Sequence, residues 1–176
     1  MKKNRGFVFS ILLIFLSSCS TVRPPDAKPF TEVSQKKEGF AIVYIYRPHT
    51  EIGSAVWPEV YINNAKTVAL KNDTHTVIYL KPGKYNIHTE KSSFFSFMGN
   101  IPGEFEITGT NDHYLLFDRY YCGEHSGHNN AQCVGLGITG KAVDYERWII
   151  VPKNRALRHI RKTYYVEPYV TSVDPQ

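Results

Sequence analysis

The sequence predicts an all-β protein, an antiparallel β-sandwich of immunoglobulin-like or related type, closed by a short C-terminal helix. Three observations predict it. Aromatic residues make up 14% of the 176 residues, with 12 Tyr and 10 Phe, and such residues favour pleated, half-buried surfaces. Apolar runs from residue 41 on are three to six residues long, too short for most helices. Turn residues separate nearly every pair of runs, the spacing of a sandwich or barrel.

The first element is residues 41–46, Ala-Ile-Val-Tyr-Ile-Tyr, closed by Arg47-Pro48. Its β-branched and aromatic run reads as a buried strand. Val60-Tyr61-Ile62 leads into Asn63-Asn64, a pair that tolerates positive φ, and residues 67–70 form the return strand. Asn72-Asp73 marks another turn before a strand at 76–80. Lys81-Pro82-Gly83-Lys84 suits a type II turn, which makes 85–88 the second strand of a hairpin. Phe105 and Ile107 alternate with Glu104, Glu106 and Thr108, a half-buried strand whose outward face explains the two glutamates. Residues 114–117 and 148–151 are further apolar runs, and Val134, Leu136 and Ile138 alternate with small residues between them. Only 154–162 has helical texture, with Leu157, Ile160 and Tyr164 at i, i+3 and i+7 among basic residues.

The amino terminus carries an address. Lys2, Lys3 and Arg5 precede an apolar run at 7–16 broken only by Ser10. Ten residues of helix span about 15 Å, half a bilayer core, so the run reads as a signal-peptide core rather than a membrane span. Leu16-Ser17-Ser18-Cys19 comes next. This tetrapeptide resembles the bacterial lipobox, in which the Cys thiol receives a diacylglycerol and the chain is cut just before it. The predicted organisation is a signal peptide at 1–18, a lipidated Cys19 with a flexible tether at 19–38, a β-sandwich at 39–152, and a basic helix and tail at 153–176. The tether, with Pro24, Pro25 and Pro29, would reach at most about 60 Å. Ser20 rather than Asp stands after the lipidated residue. By resemblance to Gram-negative sorting, this favours the outer membrane, facing the periplasm.

Residues 41–48, 60–64 and 80–85 (Leu-Lys-Pro-Gly-Lys-Tyr) together resemble the bacterial domain-of-unknown-function family 2846. Its pattern is an opening strand ending Tyr-Arg-Pro, a strand carrying a small turn, and a Pro-Gly hairpin before an aromatic residue. The resemblance covers about residues 39–120. It implies a small all-β envelope domain, mostly on lipoproteins, with no known reaction and no catalytic residues to carry over.

Charge excludes one class of partner. The formal charge is +5, but without Lys2, Lys3 and Arg5 the 21 Lys+Arg become 18 against 16 Asp+Glu, or +2. That is not a strongly basic nucleic-acid binder. A nucleotide is excluded too. Residues 135–140, Gly-Leu-Gly-Ile-Thr-Gly, spell a dinucleotide fingerprint, but residues 143–151 read as strand where that fingerprint needs a helix. As a P-loop the segment lacks the hydroxyl after Lys141, where Ala142 stands.

The remaining chemistry sits in one polar loop. With Cys19 lipidated, Cys122 and Cys133 are an even pair in an oxidising compartment, and a disulfide is the favoured reading. The alternative is a tetrahedral zinc site of Cys122, His125, His128 and Cys133, which makes the chain a metal-binding or redox protein. A Cys–His nucleophile lacks an orienting partner. Other than the lipid and this alternative zinc, no cofactor is expected, and no complete catalytic set is legible. Residues 94–98, Phe-Phe-Ser-Phe-Met, read as core cover, or, if exposed, as a membrane or partner contact. The basic stretch 153–162 reads as a solvated face, or as a contact for anionic head groups or cell-wall polymer. His49, His75, His88, His113 and His159 are scattered and read as structural or surface residues. The expected role is a non-catalytic envelope accessory or binding module whose partners are the membrane, through its lipid, and an envelope protein or cell-wall polymer.

Overall fold

The structure, a computed structural model, describes residues 27–50, 54, 57–90, 100–122 and 143–176, with backbone alone at 119–122 and 143–146. Ten strands and one helix are described. They are β1 (Ala41–Arg47), β2 (Glu59–Ile62), β3 (Ala65–Ala69), β4 (Thr74–Leu80), β5 (Gly83–Glu90), β6 (Gly103–Ile107), β7 (His113–Cys122), β8 (Val143–Ile150), α1 (Lys153–Ile160), β9 (Tyr164–Tyr165) and β10 (Ser172–Val173). They form the expected β-sandwich. A six-stranded sheet runs β10-β4-β1-β7-β8 with β9 also on β4, and a four-stranded sheet runs β3-β2-β5-β6.

β1 is the keystone. All seven residues are buried. Ala41, Val43 and Ile45 face the four-stranded sheet, among Val60, Ile62, Ile78, Ile87 and Phe117. Ile42, Tyr44 and Tyr46 face the other way, among Tyr114, Leu116, Val151, Ala156 and Ile160. A strand covered on both faces has no reason to alternate, which is why this run is unbroken in the sequence. Arg47, itself buried, closes the strand with an Nη1–H bond to the Leu70 carbonyl at 3.3 Å.

Pairing is mostly antiparallel, but β1 runs parallel to β7, and β9 and β10 run parallel to β4. A parallel pair needs a long connection, and the whole four-stranded sheet lies in the chain between β1 and β7. The β2–β3 turn matches expectation: Asn63 and Asn64 take φ of 46° and 67°, the two positive angles of a type I′ turn. The β4–β5 hairpin does not form. β4 belongs to one sheet and β5 to the other, so residues 81–83 carry the chain between layers. Gly83 has φ 151° rather than the value near +80° of a type II turn. A Cβ there would lie 2.5 Å from the Pro175 Cβ, because the C-terminal segment crosses this corner.

That segment staples the two layers. On the six-stranded sheet, Val166 N–H donates to the His75 carbonyl (2.8 Å) and Tyr79 N–H to the Thr171 carbonyl (2.8 Å). On the other, Tyr169 N–H donates to Thr67 (2.7 Å) and Gln176 N–H to Lys84 (3.2 Å). It thereby covers the outer edge of β4. α1 packs Ala156 and Ile160 onto the outer face of the six-stranded sheet.

Of the segment expected as a flexible tether, residues 19–38, the structure describes 27–38. Residues 27–38 do not stand clear of the domain; they form a strap across the same outer face. Tyr165 N–H donates to the Lys28 carbonyl (2.9 Å), and Pro29 bridges Tyr164. Phe30 packs against the Tyr44 and His75 rings, at 5.7 and 5.2 Å. Val33 N–H donates to the Tyr44 hydroxyl (2.9 Å), and Glu32 pairs with Lys153. The expected strand at 134–139, the segment 94–98 and the signal peptide lie outside the described residues.

A candidate anion-binding cleft beside the C-terminal helix

Four segments converge at one end of the six-stranded sheet. β1 ends at Arg47, and Pro48 turns the chain out to His49 and Thr50. Asn72 fixes that rim: its Oδ1 accepts from the Thr50 N–H (2.9 Å) and hydroxyl (3.1 Å), and its Nδ2 donates to the Thr50 carbonyl (3.0 Å). β7 contributes Leu116 and Asp118, β8 and its exit contribute Arg147 and Ile149 to Pro152, and α1 contributes Arg155 and His159. Together they line a half-enclosed cleft of about 540 Å³.

The cleft is amphipathic and cationic. Its floor is apolar: Pro48, Leu116, Ile149 and Val151. Arg147 and Asp118 are register partners across β7 and β8, and Arg147 Nε and Nη2 both reach Asp118 Oδ2 at 3.4 Å. Both are partly exposed, so this pair adds little stability and mainly holds Arg147 in place. Arg155 and His159 are one helical turn apart and share a face. Neither side chain has an ion pair among the described residues. The Tyr46 hydroxyl is buried, without a hydrogen-bond partner among the described residues, and packs beside Leu116 and Val151. Burial pushes its pKa up to about 12, offset by Arg155 and reinforced by Asp118, so it stays a neutral donor. Two guanidiniums over an apolar floor suit a carboxylate or phosphate group carried on an apolar body.

A profile of the family described as "Protein of unknown function (DUF2846)" matches residues 37–130, more than half of the chain. The chain belongs to the DUF2846 family. Comparison with curated proteins and with solved structures finds no match. The DUF2846 match spans β1 to β7, so it contains the His49 rim and the Pro48 and Leu116 part of the cleft floor. Arg147, Arg155 and His159 lie past residue 130, as does the C-terminal staple.

A second, smaller cleft of about 320 Å³ opens under the strap, against His75, Val77, Tyr79 and Tyr165. His75 is 2% exposed. Thr163 Oγ1 donates to the Ile160 carbonyl (2.6 Å), so it accepts from His75 Nδ1–H (2.9 Å). Burial lowers the His75 pKa to about 4. This histidine ties β4 to the end of α1.

Of the residues expected from sequence to carry chemistry, Cys19, His125, His128 and Cys133 lie outside the described residues. Cys122 is described by backbone alone. It ends β7 opposite Val143, so residues 123–142 connect β7 to β8. Among the described residues, no three His, Cys, Asp or Glu side chains stand close enough to hold a metal ion. Glu104 and Glu106 are exposed on β6 and flank buried Phe105. His75 is structural, as expected, whereas His49 and His159 line the cleft, a convergence that no local pattern announces.

Proposed function

We propose that this protein is a lipid-anchored component of the bacterial envelope that serves as a binding module, with the Arg147–Arg155–His159 cleft as its ligand site. The anchoring half of the reading rests on sequence: the basic n-region, the ten-residue apolar run and Leu16-Ser17-Ser18-Cys19. Ser20 after the lipidated residue favours the outer membrane and a periplasmic orientation. The binding half rests on one observation: Arg155, without an ion pair among the described residues, stands over a cleft that Arg147 also lines. The ligand class is a carboxylate or phosphate group on an apolar body, as offered by cell-wall polymers and envelope metabolites.

The test is a titration of the chain from Ser20 to Gln176 with inorganic phosphate and with glutarate, followed by amide chemical shifts. Shifts should cluster at Thr50, Leu116, Asp118, Arg147 and residues 153–159. Arg155→Ala should weaken them at least ten-fold. Lys84→Ala, on the other sheet, should leave them unchanged. Shifts spread evenly over the surface, or insensitive to Arg155→Ala, would remove the cleft from the account.

A further inference from the structure

The strap changes where a lipid at Cys19 would hold the domain. Seven residues, or eight residue-to-residue steps, separate Cys19 from Ala27, so the reach from anchor to folded body is at most about 27 Å. The strap enters the domain at a defined place. Lys28 and Pro29 lie against Tyr165 and Tyr164, just past the end of α1. That place is basic. Arg158, Arg161, Lys162 and Lys28 are all exposed, and α1 contains no acidic residue. Arg158, Arg161 and Lys162 have no ion pair among the described residues. The acids at this end are Glu167, beside Tyr165, and Asp73, whose carbonyl accepts from Tyr164 N–H.

We infer that the surface around the end of α1, formed by Lys28, Arg158, Arg161 and Lys162, rests on anionic phospholipid head groups of the membrane that holds Cys19. The inference rests on the anchoring proposed above, and it adds an orientation. Two observations carry it independently of each other: the short reach from the anchor, and the cations around the point where the strap enters. A surface with these charges at a bilayer gains from each cation it brings within a Debye length of the lipid phosphates. The four-stranded sheet, on the opposite side of the sandwich, then faces away from the membrane.

The experiment uses the chain from Ser20 to Gln176, which retains every described contact and carries no lipid. Its outcome is therefore independent of whether Cys19 is modified. Its partitioning is measured by sedimentation with vesicles of phosphatidylethanolamine and phosphatidylglycerol, and with vesicles in which phosphatidylcholine replaces the phosphatidylglycerol. Binding is expected only to the anionic vesicles, and it should weaken steeply in 0.5 M salt. Arg158→Ala/Arg161→Ala/Lys162→Ala should lower it about a hundred-fold. Lys66→Ala/Lys81→Ala/Lys84→Ala removes equal charge on and beside the four-stranded sheet and should change it little. Circular dichroism checks that both triple variants remain folded. Equal partitioning onto both vesicle types would overturn the inference, as would equal losses in the two variants. Because the three basic-surface substitutions leave Arg155 and His159 in place, phosphate or glutarate binding in the cleft should persist in that variant.

Discussion

Acidification should weaken this domain, chiefly through one histidine. His75 is buried between β4, the strap and the end of α1, and burial alone lowers its pKa from 6.5 to about 4. The unfolded chain therefore takes up a proton at higher pH than the folded one. Near neutral pH both states hold His75 uncharged, so the group contributes almost nothing to pH dependence there. As pH falls below 6.5 the unfolded state protonates first, and stability drops until the folded pKa is passed near 4. Between pH 7 and 4.5 the linkage relation gives a loss of roughly 2–3 kcal/mol from this residue. In a domain of this size that is a fall in Tm of roughly 5–10 °C. His113, also lowered by burial, acts in the same direction. The informative quantity is therefore a difference between variants. Urea unfolding of the wild type and of His75→Gln is measured at pH 7 and pH 4.5. Gln keeps a donor for Thr163 Oγ1, so the variant costs some packing at both pH values. The wild type should lose roughly 2–3 kcal/mol more than His75→Gln on acidification. An equal loss in both proteins would refute the assignment of a neutral, proton-excluding His75.

Two further outcomes depend on particular contacts. Gly83→Ala places a methyl 2.5 Å from the Pro175 Cβ at a φ of 151°, so the C-terminal staple must shift. A loss of about 1–3 kcal/mol is expected in denaturant unfolding, with earlier proteolysis of the last ten residues. Cys122 and Cys133 should form a disulfide: the exported protein should be two hydrogens light by mass and inert to alkylation. Two alkylatable thiols and a native-state metal adduct would instead support the zinc alternative with His125 and His128.

Much of the sandwich is legible in the sequence, because strand interiors and turns have local signatures. The run at 41–46 states its burial on both faces, and Asn63-Asn64 states its turn. Local chemistry does not state where the chain goes after a turn. Pro82-Gly83 signals a change of direction equally well whether the following strand pairs with the last one or crosses to the other sheet. Nor does an apolar run state which neighbour it takes: β1 accepts β7 in parallel across the entire four-stranded sheet. Composition hides the strap. Its polar residues read as a linker, yet Phe30 and Val33 pack on the domain, Phe30 against the Tyr44 and His75 rings, and backbone hydrogen bonds from Tyr165 and Val33 hold the segment beside them. The cleft is illegible for a related reason. His49 and Arg155 are more than a hundred residues apart, and only the pairing of β1 and β7, and the folding of α1 back over them, brings their walls together.

The anchoring claim is tested most directly by the intact mass of the full-length protein expressed in a bacterium and extracted from its membranes. The account predicts a chain beginning at Cys19, heavier than Cys19 to Gln176 by a diacylglycerol and an amide-linked acyl chain. It also predicts that Cys19→Ser abolishes that species. An unmodified chain, or one cut at another residue, would contradict it.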